Sequence, residues 1–194
     1  HWLRKENGLK KLKINKKKFI YLISPTKIRK SFYKNLIEVL KLNKVSFFQL
    51  RLKNTSFKTK IKIGKKIKKI CKRYKVKFII NDDVTLSKKL DSDGCHLGQK
   101  DMAISEARKI LKKKIIGVTC HNSIKLAKLA IKKKASYLAL GAFSISKTKK
   151  TKFKADVNLV KKIKKITKTP IVAIGGINSY NYKNLLLNKA NFLA

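Results

Sequence analysis

Seven times along this chain a short apolar run closes on a turn and gives way to a lysine-rich helical stretch, and an eighth apolar run begins just before the sequence stops. The apolar runs cover residues 19–24 (FIYLIS), 46–53, 77–81, 94–98, 115–120, 137–143, 170–174 and 191–194. Between them, residues 28–42, 57–74, 84–90, 105–113, 124–134, 156–167 and 181–188 read as helices. In the first of these Phe32, Leu36, Val39 and Leu40 recur at helical spacing, in the second Ile61, Ile63, Ile67 and Ile70, and Ser105 reads as the N-cap of the fourth. Strands that are apolar on both faces belong to a parallel sheet covered by helices. A strand-then-helix unit every 20 to 30 residues or so, repeated toward eight, is what a (β/α)8 barrel requires. A doubly wound open sheet would carry a glycine fingerprint after its first strand; the turn there is SPTK, without glycine. The expected fold is therefore α/β, a (β/α)8 TIM barrel over residues 19–194 as a single domain. Strand eight is cut short, with the closing strand and last helix missing, and residues 1–18 form a basic arm or peripheral helix.

Charge enters the argument because it is so lopsided: 52 Lys and Arg stand against 9 Asp and Glu, a net charge of +43. The lysines are spread through every helix and accompany abundant Ile and Asn, so a general lysine bias explains them better than a specific nucleic-acid partner. Weak attraction to polyanions follows. Cys71, Cys95 and Cys120 are odd in number and lack CxxC spacing, which fits a reducing cytoplasm rather than a disulfide framework or zinc ribbon. Cys95-His96 and Cys120-His121 lie in strands, where neighbours point to opposite faces and cannot share one metal. No apolar run reaches the length of a membrane span, and no signal-peptide core precedes the first strand.

Against that bias, five of the nine acids, Asp82, Asp83, Asp91, Asp93 and Asp101, fall within residues 78–101. One account is a hard cation such as Mg²⁺, which takes one or two carboxylates and leaves its other positions to water and phosphate. The plainer account makes Asp91 and Asp93 turn residues before Gly94, and one of Asp82 or Asp83 a helix cap. Asp82 and Asp101 favour the cation, since they follow strands three and four and can share one ion. In strand two, Gln49, Arg51 and Lys53 share one face and Phe48, Leu50 and Leu52 the other. A polar face inside a covered sheet is a lined pocket. Around the C-terminal strand ends, where barrels keep their chemistry, also fall Asn81, Gln99, Thr119, His121, Ser146, Thr148, Lys149 and Gly175-Gly176. Carboxylates for a cation, ringed by Arg51, Lys53 and Lys149, suit a Mg²⁺-bridged diphosphate. The Gly-Gly turn offers backbone N–H groups to a second phosphate.

The blocks QLRLK, INDD, GCHLGQKD, GVTCHN, SKTKK and AIGGI, in this order, resemble the thiamine-phosphate synthase family, with the thiazole tautomerases as cousins. The resemblance covers about residues 19–194. It implies a Mg²⁺-assisted departure of diphosphate from hydroxymethylpyrimidine diphosphate, after which the nitrogen of thiazole phosphate captures the pyrimidinyl cation. It implies further that Gln49, Leu50, Arg51, Leu52 and Lys53, with Asn81, Thr119 and Lys149, bind the pyrimidine diphosphate. Asp82 and Asp101 would hold Mg²⁺, and Ser146, Lys147, Thr148 and Gly176 the thiazole phosphate. Arg51, Lys53 and Lys149 then act as the catalytic cations that neutralise the leaving group. The sequence departs from the family where Gly141-Ala142 replaces the usual Gly-Pro and where Thr119 replaces a common Ser. It also stops within strand eight, ahead of further backbone donors to the thiazole phosphate.

Two other readings make different demands. A tautomerase-like enzyme needs neither diphosphate nor metal, so it gives no reason to keep Arg51, Lys53, Asp82 and Asp101 together. A non-catalytic basic polyanion-binding barrel predicts steep salt dependence and leaves the clustered acids unexplained. Small-molecule substrates, with no specific nucleic acid and no membrane, are the expected partners; oligomeric state is not specified by the sequence.

Overall fold

The computed structural model describes residues 17–144 and 154–194. The expected basic arm over residues 1–18 therefore lies almost wholly outside the described residues. Strands and helices alternate as β1 Ile20–Ile23, α1 Phe32–Lys41, β2 Val45–Leu50, α2 Phe57–Arg73, β3 Lys77–Asn81, α3 Val84–Lys89, β4 Gly94–Leu97 and α4 Ile104–Leu111. They continue as β5 Ile115–His121, α5 Ile124–Lys132, β6 Tyr137–Leu140, α6 Val157–Ile166, β7 Ile171–Ala173, α7 Tyr182–Leu187 and β8 Phe192–Leu193. All strand pairs are parallel, and the sheet closes on itself in sequence order. The expectation of a missing closing strand is corrected here. The two residues of β8 pair on both sides, Phe192 with Val172 and Leu193 with Ile20, and that suffices to complete the ring.

Period two sorts the strand residues into two populations. Outward side chains such as Phe48, Leu50, Phe78, Ile80, Cys95, Leu97, Ile116, Leu138 and Ile171 are buried under the helices. The inward ones, Tyr21, Phe47, Ile79, Tyr137, Ala139, Val172 and Phe192, fill the barrel. Phe47 stacks on Tyr21 at 5.2 Å and meets Phe192 edge-on at 4.9 Å, so the interior is a packed aromatic core rather than a channel. Gly117 makes this possible: a Cβ there would lie 1.8 Å from the Tyr137 ring. No helix among the described residues is long and apolar enough to cross a membrane.

Helix starts at the C-terminal end of the barrel are set by short polar side chains. Ser56, Asp83, Ser123 and Asp156 accept from the main-chain N–H three residues on and so cap α2, α3, α5 and α6. Ser105 does not cap α4, contrary to expectation. That helix begins at Ile104 with Ala103 as an uncapped N-cap, which places Ser105 in its first turn beside Glu106. Strand two also ends earlier than its pattern implies. Beyond Leu50 the main chain leaves the sheet, with Arg51 N–H donating to Ser24 Oγ at 2.8 Å and Lys53 N–H to the Thr26 carbonyl at 3.3 Å.

Candidate active site

Gln49 is the one member of the expected polar face that obeys period two inside the barrel. It is buried, and its Nε2 donates to Tyr21 Oη at 2.9 Å. Leu50 and Leu52 point the other way, into the core beneath α1 and α2, so only their main chain can face a ligand. Arg51 is half-buried at the barrel mouth, anchored through its N–H by the buried Ser24. Lys53 lies past the strand on the surface and reaches across β3, its Nζ 3.0 Å from Asp82 Oδ2.

Asn81 ends β3 opposite His96, and Asp82 follows in a left-handed turn (φ 63°) with its N–H donated to the His96 carbonyl at 2.8 Å. Such a backbone is uncommon outside glycine, although Asp tolerates it better than most. Here it turns the Asp82 carboxylate toward Asp101. Asp101 is fixed from below by Gly98, whose N–H donates to Oδ2 at 2.6 Å. The two carboxylates come within hydrogen-bonding reach of each other, and their acidities separate. Burial works against ionisation of Asp82, but the Lys53 ammonium and the contact with Asp101 hold its carboxyl below the usual range. Burial also raises Asp101; the Gly98 N–H opposes it, and the negative charge of Asp82 adds to it. Two carboxylates this close need a proton or a cation between them.

Among the described residues no group of three or more His, Cys, Asp or Glu gathers as a metal cage. Mg²⁺ asks for less, since one or two carboxylates suffice when water and phosphate complete the shell. The facing pair Asp82 and Asp101 fits that demand. Asp83, Asp91 and Asp93 do not join it. Asp83 is spent on capping α3, and Asp91 and Asp93 form ion pairs with Lys68, Lys114 and Lys77 near the N-terminal ends of β3 to β5.

Thr119 stands on β5 with Oγ1 2.8 Å from His96 Nε2, while its carbonyl accepts from Gln99 Nε2. Cys95 faces the outer core and His96 the interior, as expected for neighbours in a strand. His96 is fully enclosed, and that burial pushes its imidazole down to about 4, so it is neutral at physiological pH. Across the mouth, Gly175 and Gly176 both have positive φ (89° and 71°), and a Cβ on Gly176 would lie 2.5 Å from Ser144 Cβ. Glycine is required there by backbone and neighbour alike. Among the described residues the main-chain N–H groups of Gly175, Gly176 and Ile177 have no partner, three successive donors of the kind that can cradle an anion. Ser146, Lys147, Thr148 and Lys149 lie outside the described residues; the described chain before them ends at Ser144, which lies against Gly176.

Sequence reasoning missed Tyr21 and Tyr137, which read as members of apolar strands. Tyr21 Oη lies 2.7 Å from Tyr137 Oη, and that hydroxyl lies 3.0 Å from His96 Nδ1. Their inward register was the available signal, because a buried tyrosine hydroxyl needs a partner.

Comparison with known proteins agrees with this geometry. The thiamine monophosphate synthase family model matches residues 20–194. A thiamine-phosphate synthase of Pelagibacter ubique is 65% identical over 187 residues, covering 96% of this chain and 90% of that protein. Another, of Fusobacterium nucleatum, is 43% identical over 165 residues, covering 84% and 79%. The structure of a thiamine phosphate pyrophosphorylase from Pyrococcus furiosus superposes with a TM-score of 0.81 at 31% identity, over 93% of this chain and 85% of that one. With a closed barrel, a paired-carboxylate mouth and these relatives, the chain belongs to the thiamine monophosphate synthase family.

Proposed function

We propose that this chain condenses hydroxymethylpyrimidine diphosphate with thiazole phosphate, releasing diphosphate and forming thiamine phosphate, with Mg²⁺ held between Asp82 and Asp101. It is a transferase of thiamine biosynthesis, as its family is. The observation that carries the reading is the facing pair Asp82 and Asp101 beside Lys53, set across the mouth from the N–H groups of residues 175–177. One side suits a cation and the diphosphate it bridges; the other suits a lone phosphate.

In this reading Gln49, Asn81 and Thr119 orient the pyrimidine over a packed aromatic floor that keeps water from one face of the developing cation. Lys53 exchanges its contact with Asp82 for the diphosphate, joined by Arg51 and Lys149, and the three cations neutralise the leaving group. Bound Mg²⁺ would supply the remaining charge neutralisation at the departing diphosphate. Ser146, Lys147, Thr148 and Gly176, with the adjacent N–H groups, hold the thiazole phosphate so that its ring nitrogen faces the reacting carbon. The three cysteines are free and buried, in keeping with a cytoplasmic enzyme acting on small molecules.

Turnover of both substrates, with and without Mg²⁺, on the protein and its Asp82→Ala variant tests this. The expected result is Mg²⁺-dependent thiamine phosphate, reduced about 100-fold or more in the variant. A folded protein that makes no product sinks the reading.

A further inference from the structure

Five buried or half-buried side chains run in one line of hydrogen bonds across the barrel, from Gln49 on β2 through Tyr21 on β1, Tyr137 on β6 and His96 on β4 to Thr119 on β5. The steps are 2.9, 2.7, 3.0 and 2.8 Å. The three middle members have no other hydrogen-bond partners for these groups among the described residues. Burial keeps both tyrosines protonated, raising Tyr21 and Tyr137 well above their ordinary value. With a neutral imidazole, each middle member therefore contributes one hydrogen, three in all, to a line of four bonds. The fourth hydrogen must come from one end, and the other end must accept.

If Gln49 Nε2 donates inward, as it is placed, Tyr21 donates to Tyr137 and Tyr137 to His96 Nδ1. His96 Nε2–H then donates to Thr119, whose own hydroxyl hydrogen is left for the pocket. Gln49 at the same time shows the pocket its Oε1, which has no hydrogen-bond partner among the described residues. Turning the Gln49 amide over reverses every bond, so that Gln49 offers a donor and Thr119 an acceptor. A mixed order strands a buried hydroxyl hydrogen or leaves a bond without one, which is costly in the barrel interior.

We infer that Tyr21, Tyr137 and His96 form a relay that makes Gln49 and Thr119 offer the pocket hydrogen bonds of opposite sense, and so select a ring edge carrying one donor and one acceptor. An aminopyrimidine edge, an amino donor beside an acceptor ring nitrogen, has that pattern. The relay members are positioning residues: they act on the ligand through Gln49 and Thr119. The inference rests on reading this mouth as the pyrimidine diphosphate site.

The test compares two substrates in the wild type and in Tyr137→Phe, which keeps the ring over Gly117 and removes the hydroxyl that links Tyr21 to His96. One substrate is the aminopyrimidine diphosphate. The other is its analogue with methoxy in place of amino, which offers two acceptors. The wild type should prefer the amino compound by about 10- to 100-fold in kcat/KM, mainly through KM. In Tyr137→Phe, Gln49 is free to turn independently of Thr119, and the preference should collapse to a few-fold as KM for the analogue falls. Equal losses for both compounds, with the preference intact, would mean a purely structural tyrosine and overturn the relay.

Nitrogen-15 NMR of the His96 ring gives a readout that needs no turnover. The order in which Gln49 donates requires the Nε2–H tautomer of His96 and the reverse order the Nδ1–H tautomer, so a tautomer population that changes between the wild type and the variant supports the relay, and an unchanged population overturns it. If Tyr137→Phe does not fold, Tyr21→Phe cuts the line one bond earlier and carries the same expectations. A wild type that turns over neither compound fails the synthase reading, while the tautomer measurement still decides the relay.

Discussion

The aspartates of residues 78–101 divide between the two ends of the barrel, and the ends treat them differently. Near the N-terminal end, Asp91 lies between Lys114 and Lys68, and Asp93 accepts from both Lys77 Nζ and the Phe78 N–H at 2.9 Å. Each carboxylate there has its own cations, and the hydrogen bond from Lys114 leads in holding Asp91 below its usual range. At the mouth, Asp82 and Asp101 share one lysine and press on each other. Saturated charge serves the scaffold, whereas a local surplus of negative charge in a lysine-rich protein marks a place that waits for something positive. Nearness in sequence is no guide here, since Asp93 and Asp101 bracket the same short strand.

The sharpest way to break this contrast is Asp101→Asn. Removing the surplus charge should lower Mg²⁺-dependent turnover by about 1000-fold, yet leave thermal stability equal or slightly higher, because a like-charge contact is relieved. A parallel loss of folding and activity in melting curves and assays would put Asp101 with the structural aspartates instead.

Acid titration probes the floor between the two ends. His96 titrates at about 4 in the folded chain against an ordinary 6.5, so between those values the unfolded chain binds a proton that the folded one does not. Stability should therefore fall as pH drops from 6.5 toward 4 and level off below, by about 3 kcal/mol in all. Urea melts at a series of pH values should show that slope, and His96→Asn should flatten it.

The smallest effects are expected near the N-terminal end. Asp93→Ala leaves the Phe78 N–H without its acceptor and should cost about 1 to 3 kcal/mol. Asp91→Ala removes ion pairs on a largely exposed carboxylate and should cost no more than about 0.5 kcal/mol. Denaturant melts measure both, and neither variant should alter turnover per folded molecule.

Much of the barrel was legible. The periodic runs placed all eight strands within a few residues, because a strand covered on both faces must be apolar throughout and the helix over it must carry an apolar stripe. Period two correctly separated Gln49 from Leu50 and Cys95 from His96. It failed at Arg51 and Lys53, since the hydroxyl of Ser24 and the carbonyl of Thr26 take the N–H groups that would have extended the ladder. Ser105 was misread as a cap because a serine before an apolar stretch looks the same one residue inside a helix as at its start.

What the sequence determined by itself is the alternation that demands a barrel, the acids that survive a strong lysine bias, and the glycines at 175 and 176. These are local or compositional signals, and each can be read without knowing its neighbours. The positions of Asp82 and Asp101 after neighbouring strands already implied that they could share an ion, but only the tertiary structure decided that Tyr21, Tyr137 and His96 join Gln49 to Thr119. Those relations depend on register around a closed ring, where residues as far apart as 21 and 137 come within a hydrogen bond of each other. A hydrogen bond depends on distance in space, and no spacing along the chain records where a ring closes.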